Sequence, residues 1–145
     1  MTDAELEYGE NDLSADEYKQ LRKDAGWKEI CDNQIQKSID ASDYIVTVRH
    51  KKRIVGMARC LTDGVYIAYV FDVVVASSYQ KCGIGKKIMN QVLDHFREQQ
   101  EYLMQIVLLA DNREVEGFYQ TLGFKKYPNL LNGAGMGMWI NGKPY

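Results

Sequence analysis

No stretch of this sequence approaches the length of an apolar run that crosses a membrane, and no signal-peptide pattern opens it. Cysteine is scarce. Cys31, Cys60 and Cys82 are odd in number and have neither metal-ligand nor redox spacing. Free thiols suit a reducing compartment, so the expectation is a cytoplasmic protein with no membrane partner. The two histidines lie far apart, which argues against zinc, and no metal is expected. Charge of one sign is also missing. The formal net charge is −2, so bulk attraction to nucleic acid or an anionic membrane is not indicated. Internal repeats, linkers and low-complexity tracts are absent.

What is present is the composition of an ordinary soluble domain, 46% hydrophobic and 26% charged over 145 residues. That length suits one domain with one core, taken as residues 1–145. The most informative stretch is Val73 to Lys87, VVVASSYQKCGIGKK. It passes from a β-branched strand through a small-residue turn into Gly83-Ile84-Gly85. An amphipathic helix follows, with Ile84, Ile88, Val92, Leu93 and Phe96 at helical spacing. The glycines remove side chains where the helix begins, leaving bare backbone N–H groups. The helix dipole and Lys81, Lys86 and Lys87 add positive potential, which suits a phosphate or pyrophosphate. A P-loop does not fit, because Lys87 follows Gly85-Lys86 and no glycine stands five positions before Gly85. A Rossmann fingerprint does not fit either, because Ile88 stands where its third glycine belongs.

The rest of the chain reads as alternating elements. Residues 1–12 are acidic, and Leu6 and Tyr8 suggest a short first strand. Ser14 with Glu17 forms a capping box before a helix that Gly26 stops, and residues 31–40 read as a second helix. Tyr44 to Val48 and Ile54 to Cys60 read as strands around the basic turn His50-Lys51-Lys52-Arg53. That turn has no interleaved aromatics, so a solvated hairpin is the better reading than a nucleic-acid patch. After an Asp63-Gly64 turn, Val65 to Val75 is a nearly continuous apolar strand, expected when both sheet faces are covered. The glycine-opened helix runs to about Gln99, and Met104 to Ala110 reads as a buried strand. Asp111, boxed with Glu114, is the expected cap of a helix bearing Val115, Phe118, Tyr119 and Leu122. Phe124 is expected to start a strand that Pro128 interrupts, and residues 136–141 to form the last strand. The order indicates one α/β domain with a mixed central sheet flanked by helices.

Gln80-Lys81-Cys82-Gly83-Ile84-Gly85 resembles the Q/R-x-x-G-x-G/A signature of the GNAT superfamily of N-acetyltransferases. Ala110-Asp111-Asn112 through Tyr119 and Leu122-Gly123-Phe124 is similar to that family's second signature, N-x6-Y with an L-G-F ending. Leu21-Arg22 with Ala25-Gly26-Trp27 resembles the early helix and loop of small members. The good match covers residues 54–126. The resemblance implies a GNAT-like fold and a turn, Gln80 to Lys86, that holds the pyrophosphate of acetyl-CoA on backbone amides. It implies that backbone groups of Val73, Val74 and Val75 pair with the pantetheine arm. It further implies that Asn112 lies near the CoA arm and that Tyr119 points at the sulfur.

Each residue also has a plain structural reading. Tyr119 sits on an apolar stripe and fits a core; a phenol with a pKa of about 10 also stays protonated at neutral pH and can donate to a leaving thiolate. Asn112 fits a capping role. Cys82 stands at a variable position of the motif. Asp72, the one charge in the long strand, needs a partner or a function: it is either a general base or a hydrogen-bond acceptor near Arg59. Some family members carry a glutamate base earlier in this strand, where Tyr69 falls here, and a water relay is the remaining alternative.

The leading expectation is therefore an acetyl-CoA-dependent N-acetyltransferase that passes the acetyl group directly to an amine of a small molecule or peptide. A non-catalytic CoA-binding sensor or regulatory module is the alternative, and a phosphate-binding interaction domain a third. The resemblance puts the acceptor around Trp27, Tyr66 and residues 130–138, where few acids occur, so a polyamine is disfavoured. Met138-Trp139-Ile140 offers an apolar edge strand through which a homodimer could form.

Overall fold

Three local devices start and stop the first helices and strands in the computed structural model, which describes residues 2–99, 101–138 and 140–141. Ser14 and Glu17 exchange the two hydrogen bonds of a capping box at the start of α1 (Ala15–Asp24). The helix ends in a Schellman turn: Gly26 takes φ +71, and the amides of Gly26 and Trp27 donate to the carbonyls of Lys23 and Arg22 at 3.1 and 3.0 Å. Lys51 and Lys52 both adopt positive φ, 49 and 68, and form the two-residue turn between β2 (Tyr44–His50) and β3 (Arg53–Thr62).

The chain divides into two compact units, Met1–Leu109 and Ala110–Tyr145. In the first, β1 (Leu6–Glu10), β2, β3 and β4 (Ile67–Val75) form an antiparallel meander. The helix α3 (Ile84–Gln99) then carries the chain across, so that β5 (Gln105–Leu108) adds parallel to β4. The sheet order is β1-β2-β3-β4-β5. Successive β3 side chains point to opposite faces. Gly56 points at α3, where an added Cβ would stand 3.0 Å from Ile88. Arg59, of the other parity, reaches α1 and α2 (Asp32–Asp40). Helices therefore cover both faces, which is why β3 is buried over most of its length. β5 is only half-buried, short of the fully buried strand its apolar sequence suggests.

β4 is bulged. Arg59 pairs with Phe71 and Met57 with Val74, so Asp72 and Val73 together oppose Ala58. Asp72 takes φ +52, a left-handed conformation uncommon outside glycine. β5 pairs only with Ile67–Val70. Among the described residues no strand covers the outer edge of β4 beyond Val70.

In the second unit, α4 (Arg113–Thr121) is capped by Asn112, not by Asp111 as its sequence suggests. The helix begins one residue later than a capping Asp111 requires, and Asn112 Oδ1 accepts from the amides of Glu114 and Val115 at 3.0 and 3.2 Å. Phe124 starts no strand. Its amide donates to the carbonyl of Tyr119 at 3.2 Å and its ring packs on Tyr119, so it serves to end the helix behind Gly123 at φ +98. The last strand is likewise absent among the described residues: 136–138 and 140–141 are irregular and exposed, and Trp139 lies outside the described residues. Gly133, Gly135 and Gly137 lower the strand propensity there. The edge strand expected to support a homodimer does not form in the described part of that stretch.

Candidate active site

The glycine turn is anchored at both ends. Ser77, just past β4, gives its amide and hydroxyl to the Asp24 carboxylate at 2.9 and 3.1 Å, tying the turn to the last turn of α1. Tyr79 shares a 2.8 Å hydrogen bond with His50 Nδ1, tying it to the end of β2. Gln80 folds back, its Nε2 donating to the carbonyl of Val75 at 3.1 Å. Lys81 at φ +60 and Gly83 at φ +82 then reverse the chain, and the buried Ile84 fixes the start of α3. Lys81, Cys82, Gly83 and Lys86 are exposed, and Gly85 half-buried. The Cβ that Gly83 lacks would meet nothing within 4 Å, so the space before the opening amides of α3 is free. Lys87 is engaged elsewhere: its Nζ stands 2.7 Å from Asp3, which raises its pKa.

Upstream, at the bulge, side chains from α1, α2, β3 and β4 converge. Asp72 Oδ2 accepts from the Tyr18 hydroxyl and from Arg59 Nε at 2.8 Å. Arg59 also donates to the Ser38 carbonyl and the Ser42 hydroxyl, both at 2.8 Å, and lies over the rings of Phe71 and Tyr18. Arg22 Nη1 comes within 4.0 Å of Asp72 Oδ1, and its guanidinium stands 5.6 Å from the Trp27 ring. Burial, then the Asp72 charge, push the Tyr18 hydroxyl up to about 12. Val73 and Val75 are half-buried and Val74 buried, on the part of β4 that no described strand covers and that leads into the glycine turn.

Trp27 thus belongs to the Asp72 corner, but Tyr66 does not. Tyr66 is exposed in the loop before β4, about 20 Å of strand away from Asp72. In the second unit Tyr119 is buried, its ring 5.1 and 5.8 Å from those of Phe118 and Phe124. Burial, helped by the Asp111 charge, pushes its hydroxyl up to about 12, so the phenol keeps its proton well past neutrality. Asn112 lies two turns earlier, at the N-terminus of the same helix. In sequence Tyr18 is, with Leu21, only part of an apolar helix face, and nothing local announces the Asp24–Ser77 tie. The i, i+4 pair Tyr18 and Arg22 was the available signal, since a lone buried carboxylate demands donors. Among the described residues no cluster of three His, Cys, Asp or Glu is placed to hold a metal ion. No described helix is long and apolar enough to cross a membrane.

Comparison with known proteins matches residues 8–124 to the family model described as "Acetyltransferase (GNAT) family". GCN5-related N-acetyltransferase 1, chloroplastic, of Arabidopsis thaliana is 35% identical over 102 residues, covering 69% of this chain and 50% of that protein. The chain thus spans half the length of that relative. Serotonin N-acetyltransferase 2, chloroplastic, of Oryza sativa subsp. japonica is 40% identical over 81 residues, 56% of this chain and 39% of that protein. A probable acetyltransferase of unknown function from meticillin-resistant Staphylococcus aureus superposes with a TM-score of 0.82 at 23% identity, covering 94% of this chain and 98% of that one, a likeness of fold.

Proposed function

The chain belongs to the acetyltransferase (GNAT) family, and we propose from that premise that it transfers the acetyl group of acetyl-CoA directly to an amine. Acyl transfer is the chemistry of the family; the acetyl donor and amine acceptor are our reading. One observation carries it: among the described residues no strand pairs with β4 beyond Val70, and from that edge the chain turns through residues 76–83 into an exposed, glycine-cleared helix start. That shape suits a ligand with an extended amide-bearing arm and a pyrophosphate. We take both compact units as parts of one acetyltransferase domain, because the family match runs across them.

When bound, acetyl-CoA supplies a thioester carbonyl for attack and a thiolate leaving group. In this reading the amides of Gln80 to Lys86 hold its pyrophosphate and the backbone of Val73 to Val75 aligns its arm. A backbone N–H there donates to the carbonyl oxygen as negative charge builds. Asn112 supports the arm while its side chain caps α4. Tyr119, still protonated at neutral pH, gives its proton to the departing sulfur. Asp72 holds the bulge: the oxygen that faces its neighbours accepts from Arg59 and Tyr18. The amine's proton then leaves through water. Binding both reactants side by side removes the need for a covalent enzyme intermediate. The three unpaired cysteines suit a reducing compartment such as the cytoplasm.

Incubating the protein with acetyl-CoA and a panel of amines, while following free thiol and the mass of the amine, tests this. Thiol release matched by an acetylated amine supports transfer. Tight CoA binding without thiol release across the panel favours a CoA-binding sensor instead.

A further inference from the structure

Among the described residues, the corner beneath the β4 bulge holds two guanidiniums and one carboxylate. Arg59 is 6% exposed and pairs closely with the carboxylate: its Nε donates to Asp72 Oδ2 at 2.8 Å, and Nη1 reaches the neutral oxygens of Ser38 and Ser42. Arg22 is held more loosely, its Nη1 donating to the Tyr18 hydroxyl at 3.5 Å. Its closest approach to Asp72 is 4.0 Å, beyond hydrogen-bond reach. Its one short bond, from Nη2 at 2.6 Å, goes to the neutral carbonyl of Lys28. Among the described residues no other carboxylate lies within 4.0 Å of either guanidinium. Asp24, on the same helix turn, is taken by Ser77. Among the described residues one positive charge is therefore left over, in a place where the Arg22 side chain is only 15% exposed. A guanidinium so far removed from water is costly until an anion joins it.

We propose that Arg22 receives a carboxylate on the acceptor, so that the acceptor is an amino acid and not a plain amine. This rests on the acetyl-transfer reading above. Asp72 directly precedes Val73–Val75, the segment assigned there to the acetyl arm, and Arg22 lies against Asp72 from α1. An α-carboxylate is separated from its amine by a single carbon, so an amine presented at the bulge brings its carboxylate to that corner. The planar guanidinium can take both carboxylate oxygens. The rings of Trp27 and Tyr18, 5.6 and 5.5 Å from the Arg22 guanidinium, hold it in place and line the approach with apolar surface. An apolar or aromatic side chain fits that lining. The surplus positive charge repels a polyamine, and serotonin, named for the rice relative, lacks the carboxylate.

Matched pairs test this, each an amino acid and the amine left when its carboxylate is removed; 5-hydroxytryptophan and serotonin are one such pair. Acetyl transfer is measured on both members of each pair, and calorimetry with CoA present measures their binding. The expected result is that at least one pair shows a preference for the carboxylate member on the order of 10–100-fold in kcat/KM, the range of a charge-assisted bond. In Arg22→Gln that preference should fall toward unity through the KM of the carboxylate member, and Arg22→Lys should restore part of it. The proposal is overturned if every pair is used equally, if the plain amines win, or if Arg22→Gln keeps the preference. Should no pair be acetylated, calorimetry decides: binding of the carboxylate members alone supports the site, and its absence rejects it. Failure to bind acetyl-CoA, read in the same titrations, would count against the acetyl-transfer reading instead. If Arg22→Gln does not fold, the wild-type pairs alone decide.

Discussion

Tyr18 and Tyr119 are two buried phenols with nearly the same acidity and different surroundings. Burial is the main cause in both cases and pushes each up to about 12, with Asp72 adding to it for Tyr18 and Asp111 for Tyr119. The Tyr18 hydroxyl donates a hydrogen bond to Asp72, and its ring lies beneath Arg59. Within its own unit, among the described residues, the Tyr119 hydroxyl has no hydrogen-bond partner, and the aromatic rings beside it are those of Phe118 and Phe124. A raised pKa therefore marks burial in both, while only the uncommitted proton is available for chemistry. Tyr18 is a fastener of the bulge; Tyr119 is the proton donor of the proposed reaction.

Removing each hydroxyl should separate the two. Tyr119→Phe should lower turnover by about 10²–10⁴, the usual worth of general acid catalysis, with acetyl-CoA affinity and melting temperature little changed. Near-normal turnover with a lowered melting point would make Tyr119 a packing residue and erase the contrast. Arg59→Gln attacks the other side. It leaves the half-buried Asp72 without its 2.8 Å partner, and losses of about 3–5 kcal/mol follow when one member of a buried pair is removed. Denaturant unfolding should show it, and a change below about 1 kcal/mol would mean that the Tyr18 hydrogen bond holds Asp72 unaided. Tyr18→Phe deletes one bond to a charged acceptor and should cost about 1.5–3 kcal/mol of stability. Its effect on turnover should be smaller than that of Tyr119→Phe; the reverse order would break the comparison.

The smallest effect is in alkali. Each phenol ionises at about 10 when unfolded and at about 12 in the fold. Their stabilisation is complete below pH 10 or so and is lost as pH climbs from there through 12, because the unfolded chain gives up these protons first. Melting temperatures across that window should fall less steeply in either Phe variant than in the parent. Equal slopes would remove the burial assigned to that tyrosine.

Local patterns made most of the first unit legible. The Ser14–Glu17 box, the apolar stripe of α3 and the continuous apolar run of β4 each report a periodicity or a cap that needs no distant partner. The glycine turn is legible for the same reason, since its chemistry lies in consecutive residues. Asp72 announces its need for a donor, and Arg59, across the bulge, is close enough in sequence to be suspected. Tyr18 is 54 residues away and shows only as one more apolar position. Asn112 and Asp111 are both good caps, and only the start of α4 at Arg113 decides between them. Phe124 reads as a strand residue because its propensity is right, yet its amide is used in ending α4. Met136 and Met138 have apolar side chains but no described partner strand, and a strand is defined by its ladder.

The direct test of the whole account is a calorimetric titration of acetyl-CoA and CoA into the parent protein and into a variant with leucine at both Gly83 and Gly85. The account predicts that the parent binds both ligands. It predicts that the double variant, checked for folding by circular dichroism because leucine is strained at the +82 φ of Gly83, loses that affinity because side chains now stand where the pyrophosphate must approach. A folded double variant with unchanged affinity, or a parent that binds neither ligand, would contradict it.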